Sequence, residues 1–190
     1  MLLAFKLPPR LVIAKIAKRI PWINQFEVRV AEIMHSPKEL QPDRLIGFFR
    51  SQQDFLQKID GWDPLDFKGC NVIEIGPGSL GGLCPMSVFL GAKSVYGVEP
   101  NWMQGILDDP RIISAFLIPH HAALVREFGP LMDFMTFQKK LCEGLKVEAV
   151  DLENADPNFE VDIVISNSCL EHVCKFDSSI KVLSLSLIHI

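Results

Sequence analysis

The stretch VIEIGPGSLGG, from Val72 to Gly82, carries the clearest signal for the fold in this sequence. It begins as a short apolar strand and ends in a turn in which Gly76, Gly78 and Gly81 stand in G-x-G-x-x-G order. Glycines at these places permit positive φ angles and let a ligand approach the backbone closely. The stretch therefore predicts a strand, a nucleotide-type loop and the start of a helix.

Glu74 conflicts with its apolar neighbours in this strand. A carboxylate in a dry strand is costly unless a positive or hydrogen-bonding group meets it. We expect an apolar residue here in a dinucleotide-binding strand, because pyrophosphate would repel an acid. S-adenosylmethionine has no phosphate and carries an α-ammonium, which Glu74 could hold directly or through water. The alternative is that Glu74 caps a helix or pairs with a lysine.

Strands and helices alternate after residue 70. The four predicted strands, each short and rich in Val or Ile, are Asn71–Ile75, Ser94–Val98, Lys146–Val150 and Val161–Ser166. The segment Cys84–Leu90 fits a crossover helix between the first two. Glu99 ends the second strand about 20 residues beyond the glycine loop, where an acid can accept both hydroxyls of a ribose. This pattern predicts an α/β fold with a Rossmann-like, mostly parallel sheet and flanking helices.

The residues before the first strand predict a helical extension, which we assign to 1–68, with a partial cofactor-binding domain over 69–190. Within the extension, Pro42–Ile59 has apolar residues at helical spacing. The segment 10–20 is basic and amphipathic. We expect it to pack on the domain or to cover its pocket, and contact with a membrane surface or a partner is the less favoured alternative.

A long segment, about 102–145, separates the second and third strands. It predicts two or more helices, broken at Pro119 and near Gly129–Pro130. Such an insertion either forms a lid or substrate wall or thickens the core, and the sequence leaves both interpretations open.

Composition narrows the class of protein. The chain has 190 residues, 48% of them hydrophobic and 22% charged, with a net charge of −4, which favours a folded domain and argues against a nucleic-acid partner. Its five cysteines show no zinc spacing, so we expect reduced thiols and no metal. No apolar run reaches the roughly 18 residues that a membrane helix needs. We expect a cytoplasmic protein.

Four motifs together resemble class I S-adenosylmethionine-dependent methyltransferases. They are VIEIGPGSLGG, VYGVEP, VEAVDLENAD and VDIVISNSCLEHV, and the resemblance covers roughly residues 71–173 outside the insertion. It implies S-adenosylmethionine as the cofactor. It also implies that Glu74, Gly76 and Gly78 line the methionine and ribose side of the site, and Gly81 is a further cofactor-binding residue of the same loop.

The resemblance implies roles for further residues. Glu99 would bind the ribose hydroxyls, and Asp151 would accept from the adenine amino group while Leu152 packs on the ring. Asp151 as a plain turn residue stays open. Trp102 either stacks on adenine or belongs to the core.

Residues after the fourth strand would border the point of methyl transfer. Asn167 and Ser168 would lie near the sulfonium, and Glu171 and His172 are the candidate catalytic pair. A base is needed only for a hydroxyl or protonated amine. A helix-start acid and a structural histidine are the alternative.

The predicted function is methyl transfer to a small-molecule acceptor, such as a sugar or another metabolite. The rivals are an NAD(P)-dependent oxidoreductase, whose glycine spacing also fits, and a noncatalytic nucleotide-binding fragment. The family fold has seven strands, whereas this sequence stops soon after the fourth. We therefore expect the front part of a longer enzyme, with weak or absent turnover. The closing KVLSLSLIHI reads as foreign to it, and its LSLSLIHI end alternates well enough to lie beside the fourth strand.

Overall fold

A parallel four-stranded sheet forms the centre of the fold. The computed structural model describes residues 24–61, 63–155 and 160–167. The strands are β1 (Asn71–Ile75), β2 (Ser94–Val98), β3 (Leu145–Glu148) and β4 (Ile163–Ser166), in the spatial order β3-β2-β1-β4. This order equals the first four positions of the Rossmann order 3-2-1-4-5-6. The fold is Rossmann-like.

The predicted α/β class is thereby confirmed. β1 and β2 have their predicted bounds, β3 begins one residue early and ends two residues early, and β4 begins two residues late. In the register, Ile75 lies beside both Val98 and Ser166, and Val98 lies beside Glu148. The carboxyl ends of the strands therefore lie level, and the residues that follow them share one edge of the sheet.

Helices cover the sheet, and some of them begin at a capping side chain. They are α1 (Gln25–Met34), α2 (Arg44–Leu56), α3 (Cys84–Phe89), α4 (Pro110–Ile112), α5 (Ile118–Phe128) and α6 (Phe134–Gly144). Short 3₁₀ helices occupy Ile106–Asp108 and Leu152–Asn154. The Asn24 side chain accepts a hydrogen bond from Phe26 N at 3.0 Å, and Asp133 accepts one from Thr136 N at 2.9 Å. Such side-chain oxygens satisfy amide groups that the helix itself leaves unpaired.

The predicted helix break at Pro119 is wrong. A π-helical segment, Ile113–Leu117, joins α4 to α5, and Pro119 lies in the first turn of α5. A proline there removes no needed donor, and the wider π turn lets the chain stay helical ahead of it. The predicted break near Gly129–Pro130 is confirmed, because α5 ends at Phe128 and the next residue, Gly129, has a φ of +83°.

Two apolar clusters lie on the sheet. The larger one joins α1 and α2 to residues of the sheet and of the insertion. Phe49 of α2 illustrates this, since its ring centroid lies 5.6 Å from the ring centroid of Phe67 and 6.0 Å from that of Phe128. The insertion also contributes Phe116 and Phe137, both fully buried. The insertion therefore thickens the core, and residues on both sides of position 68 share that core.

The smaller cluster surrounds side chains of β1 and β2 that point to the opposite face, including Ile73, Ile75 and Tyr96. In the ranges that the structure describes, no helix combines the length and apolar character required to span a bilayer. The predicted basic helix at 10–20 and the closing segment KVLSLSLIHI lie outside the described residues.

Candidate functional site

The glycine loop connects the end of β1 to α3. Gly76 N donates to Val98 O at 2.9 Å, which ties the start of the loop to β2. Cys84 N donates to Gly81 O at 2.8 Å, which ties its end to α3. Gly78 has a φ of +69°, and no heavy atom lies within 4 Å of the position that a Cβ would take. The loop thus exposes backbone to open space, as a closely approaching ligand requires.

Glu99 joins β2 to this loop. Its Oε2 accepts from Gly78 N at 3.0 Å and its Oε1 accepts from Asn101 N at 2.9 Å. The residue is only 9% exposed. The acid at the end of β2 and the middle of the glycine loop, 21 residues apart, are therefore in direct contact.

Glu74 is buried behind the loop, at 2% exposure. Its Oε2 accepts from Leu83 N at 2.8 Å and from the Cys84 thiol at 3.1 Å. These contacts at the start of α3 are those of the alternative in which Glu74 caps a helix. Burial raises the pKa of Glu74 to about 7, although the hydrogen bonds oppose that rise. Its role toward an ammonium group stays a prediction.

Gly82, a residue with no predicted role, makes room for Glu74. A Cβ at this position would lie 2.2 Å from Glu74 Oε1, and the φ of Gly82 is +51°. Only glycine meets both conditions without displacement. The sequence did contain a signal for it, because a fourth glycine directly follows Gly81.

An open cavity of about 250 Å³ lies beside the loop. The loop residues Pro77 to Leu80 and Gly82 form one part of its lining. The other part comes from segments remote in sequence, and it consists of Glu39, Arg44, Leu45 and Phe116. Sequence reasoning missed Glu39 and Arg44, because they lie in a predicted extension and only tertiary packing brings them to the loop.

The remaining predicted cofactor residues lie toward β3 and β4. Asp151 is exposed and precedes the 3₁₀ helix, while Leu152 is buried in the smaller apolar cluster. Trp102 is half-buried, packs against the larger cluster and lines a cavity of about 50 Å³. Asn167 directly follows β4, at the same edge of the sheet as the glycine loop and Glu99. The structure therefore brings Gly76, Gly78, Glu99 and Asn167 to one edge.

Ser168, Glu171 and His172 lie outside the described residues. Across 24–61, 63–155 and 160–167, no group of three or more His, Cys, Asp or Glu side chains could hold a metal ion. The insertion histidines have structural contacts instead. His120 Nδ1 lies 2.9 Å from Pro42 O, and His121 Nε2 lies 3.0 Å from Met132 O.

No protein-family model matches the sequence, and no curated protein matches it either. Three solved structures illustrate what the chain is similar to. Protein arginine methyltransferase 10 of Arabidopsis thaliana, described as uniquely open, is 26% identical, with a TM-score of 0.38 and coverage of 64% of this chain and 28% of that one. The PRMT1 enzyme–prozyme heterotetrameric complex of Trypanosoma brucei with AdoHcy is 17% identical, with a TM-score of 0.34 and coverage of 65% and 28%.

The third is the DhpI–SAM–HEP complex, which is 12% identical, with a TM-score of 0.44 and coverage of 97% of this chain and 64% of that one. Methyltransferases and complexes with SAM or AdoHcy are among these similar structures. The chain spans 28% of the length of the first two.

Proposed function

We propose that the chain binds S-adenosylmethionine at the carboxyl edge of its sheet and forms the cofactor-binding part of a methyltransferase. The hydrogen bond from Gly78 N to Glu99 Oε2 carries this proposal. It places an acid suited to ribose hydroxyls directly against a loop suited to close ligand approach. The open space over Gly78 and the adjoining cavity supply room for the ligand.

Each residue has a separate task in this proposal. When bound, S-adenosylmethionine supplies a methyl group activated by its sulfonium. Glu99 orients the ribose, the glycine loop supports the middle of the ligand, and Asn167 borders the acceptor side. Because the reaction is an in-line displacement, the protein contributes mainly alignment and exclusion of water. We further propose Glu171 and His172 as the pair that takes a proton from a hydroxyl acceptor.

We propose a small molecule, such as a sugar or another metabolite, as the methyl acceptor. We propose the cytoplasm as the location of the protein. The net charge of −4 supports the first point, because an acidic protein has no general attraction for nucleic acid. A panel of small acceptors, assayed with radiolabelled methyl donor, tests it. Incorporation of label into RNA, with none into the small molecules, would overturn it.

Calorimetry with S-adenosylhomocysteine and with NADH tests the cofactor. We expect binding of the first and none of the second. Glu99→Ala should weaken S-adenosylhomocysteine binding at least about tenfold, which is the loss expected for hydrogen bonds donated by the ribose hydroxyls to a charged group. The control, Glu143→Ala, removes an exposed acid from α6 and should leave binding unchanged. Circular dichroism establishes that both variants keep their fold.

An NAD(P)-dependent oxidoreductase remains a second candidate because of one observation. On the sequence alone a dinucleotide is disfavoured only if the Glu74 carboxylate faces the ligand, whereas Glu74 is buried and its Oε2 accepts from Leu83 N and the Cys84 thiol. A pyrophosphate near the loop would therefore meet less repulsion than the sequence suggests. Binding of NADH in preference to S-adenosylhomocysteine would establish this candidate and overturn the first.

A further inference from the structure

We propose that Glu39 and Arg44 bind the amino-acid end of the cofactor, with Glu39 holding its α-ammonium and Arg44 its α-carboxylate. This inference rests on the proposed function and assigns a part of the ligand that the glycine loop and Glu99 leave without a charged partner. It also gives the segment before β1 a direct part in binding.

Arg44 differs from the other arginines in the described part of the chain. Arg29 pairs with Glu32, Arg50 with Glu127, Arg111 with Glu27 and Asp109, and Arg126 with Asp43. Arg44, the first residue of α2, makes no ion pair with any described residue. Its guanidinium is therefore available to an anionic group that enters the cavity.

Glu39 lines the same cavity with the opposite charge. It is half-buried, and its carboxylate has no hydrogen bond or ion pair within the described ranges. Glu39 and Arg44 also do not pair with each other, although both face one space. Two unpaired charges of opposite sign in one cavity suit a ligand that carries both opposite charges, because each ligand charge then gains a charge-assisted hydrogen bond.

The amino-acid end of S-adenosylmethionine has this character, since its ammonium and carboxylate are attached to one carbon. The cavity also offers apolar surface from Leu45 and Phe116, against which the methylene groups of the ligand can pack. Its volume of about 250 Å³ is far above the roughly 10–15 Å³ that a single water needs on this measure.

Glu74 is poorly placed to hold the ammonium itself. Gly82 lines the cavity, and a Cβ on Gly82 would lie 2.2 Å from Glu74 Oε1, so Gly82 stands close against that carboxylate. Glu74 is not among the residues that line this space, and it is only 2% exposed. We therefore assign to Glu39 the cation that the sequence motif suggested for Glu74.

The test uses calorimetry with three ligands that share the adenosine and the thioether. S-adenosylhomocysteine carries both charged groups, 5′-(3-aminopropyl)thioadenosine lacks the carboxylate, and 5′-methylthioadenosine lacks both. We expect Arg44→Met to weaken the binding of S-adenosylhomocysteine about tenfold to a hundredfold and to leave the binding of the other two ligands unchanged. Glu39→Gln should weaken the first two by a similar factor, and neither variant should change the affinity for the third.

Two variants serve as matched controls. Lys38→Met and Asp54→Asn make the same charge changes at exposed positions that do not line the cavity, and both should bind all three ligands as the unaltered chain does. If Arg44→Met and Glu39→Gln bind S-adenosylhomocysteine as the controls do, the inference is overturned. Equal weakening of all three ligands also overturns it, because that outcome indicates a structural role. If the unaltered chain binds none of the three, the proposed function itself fails.

Discussion

At the scale of single residues, the Glu74 carboxyl of β1 lies behind the glycine loop and accepts from Leu83 N. Its carboxyl is almost fully buried, and its pKa lies near 7 where the ordinary value is 4.5. At a pH between these two pKa values, the Glu74 carboxyl is mostly ionised in the unfolded chain and mostly protonated in the folded chain. The unfolded state therefore binds fewer protons in this window, so the free energy of unfolding falls as pH rises.

We predict that stability declines by on the order of 3 kcal/mol between about pH 4.5 and pH 7 because of this one carboxyl. Glu74→Gln keeps an oxygen for Leu83 N and cannot ionise, so the variant should lack this decline. Urea unfolding at several pH values measures both proteins. Equal pH slopes for the two would show that Glu74 does not carry the effect.

Gly82 permits a second residue-scale prediction. Gly82→Ala should destabilise the fold more than Gly105→Ala, although both glycines have positive φ. An alanine at either position costs about 1–2 kcal/mol for the left-handed backbone. At Gly82 the new Cβ also collides with Glu74, which displaces its carboxylate from Leu83 N and adds about 1–3 kcal/mol. Around Gly105 the space for a Cβ is open.

Thermal unfolding followed by circular dichroism compares the two glycine variants. A melting temperature for Gly82→Ala equal to that of Gly105→Ala would contradict the close approach of Gly82 and Glu74.

At the scale of elements, the two faces of α2 have opposite roles. Phe49 is buried between Phe67 and Phe128, whereas Phe55 on the same helix is 64% exposed. Phe49→Ala should therefore lower the free energy of unfolding by about 3–5 kcal/mol, because it leaves a cavity in the core. Phe55→Ala is the matched control and should change it by less than about 0.5 kcal/mol. Chemical denaturation measures both, and similar losses would contradict the packing of α2.

The sequence predicts elements best where local pattern and burial agree. β1 and β2 are short apolar runs bounded by turn residues, and both have their predicted bounds. Pro119 is predicted wrongly, because a π turn is a local adjustment that periodicity does not reveal. Ile163 begins β4 two residues late because strand ends depend on pairing with β1, which sequence patterns do not specify.

The candidate site shows the same division. Gly76, Gly78 and Glu99 are recognisable because their spacing along the chain reflects a local strand–loop–helix–strand unit. Glu39 and Arg44 are not recognisable, since nothing in their own neighbourhood indicates a ligand. Arg44 reaches the glycine loop because α2 packs on the core through Leu45 and other buried side chains, and Glu39 lies in the segment between α1 and α2.

At the scale of the whole molecule, the predicted extension and the sheet share one core. Val30, Ile33 and Phe49 belong to the same apolar cluster as Val72 of β1. We predict that removing residues 1–68 abolishes cooperative unfolding, because the apolar surface of the sheet domain loses its cover. Urea denaturation of the full chain and of 69–190 measures this. An unchanged midpoint for 69–190 would instead support an independent domain.

The burial of Cys84 has a practical consequence. Its sulfur is wholly shielded and donates to Glu74, and burial raises the pKa of the thiol, so a labelling reagent cannot react with it in the closed state. Alkylation must wait until the first turn of α3 opens, and its rate then reports the free energy of that opening. In a chain whose other cysteines are replaced by serine, the alkylation rate of Cys84 thus measures how often the end of the glycine loop opens. Ligand bound at the site should lower this rate.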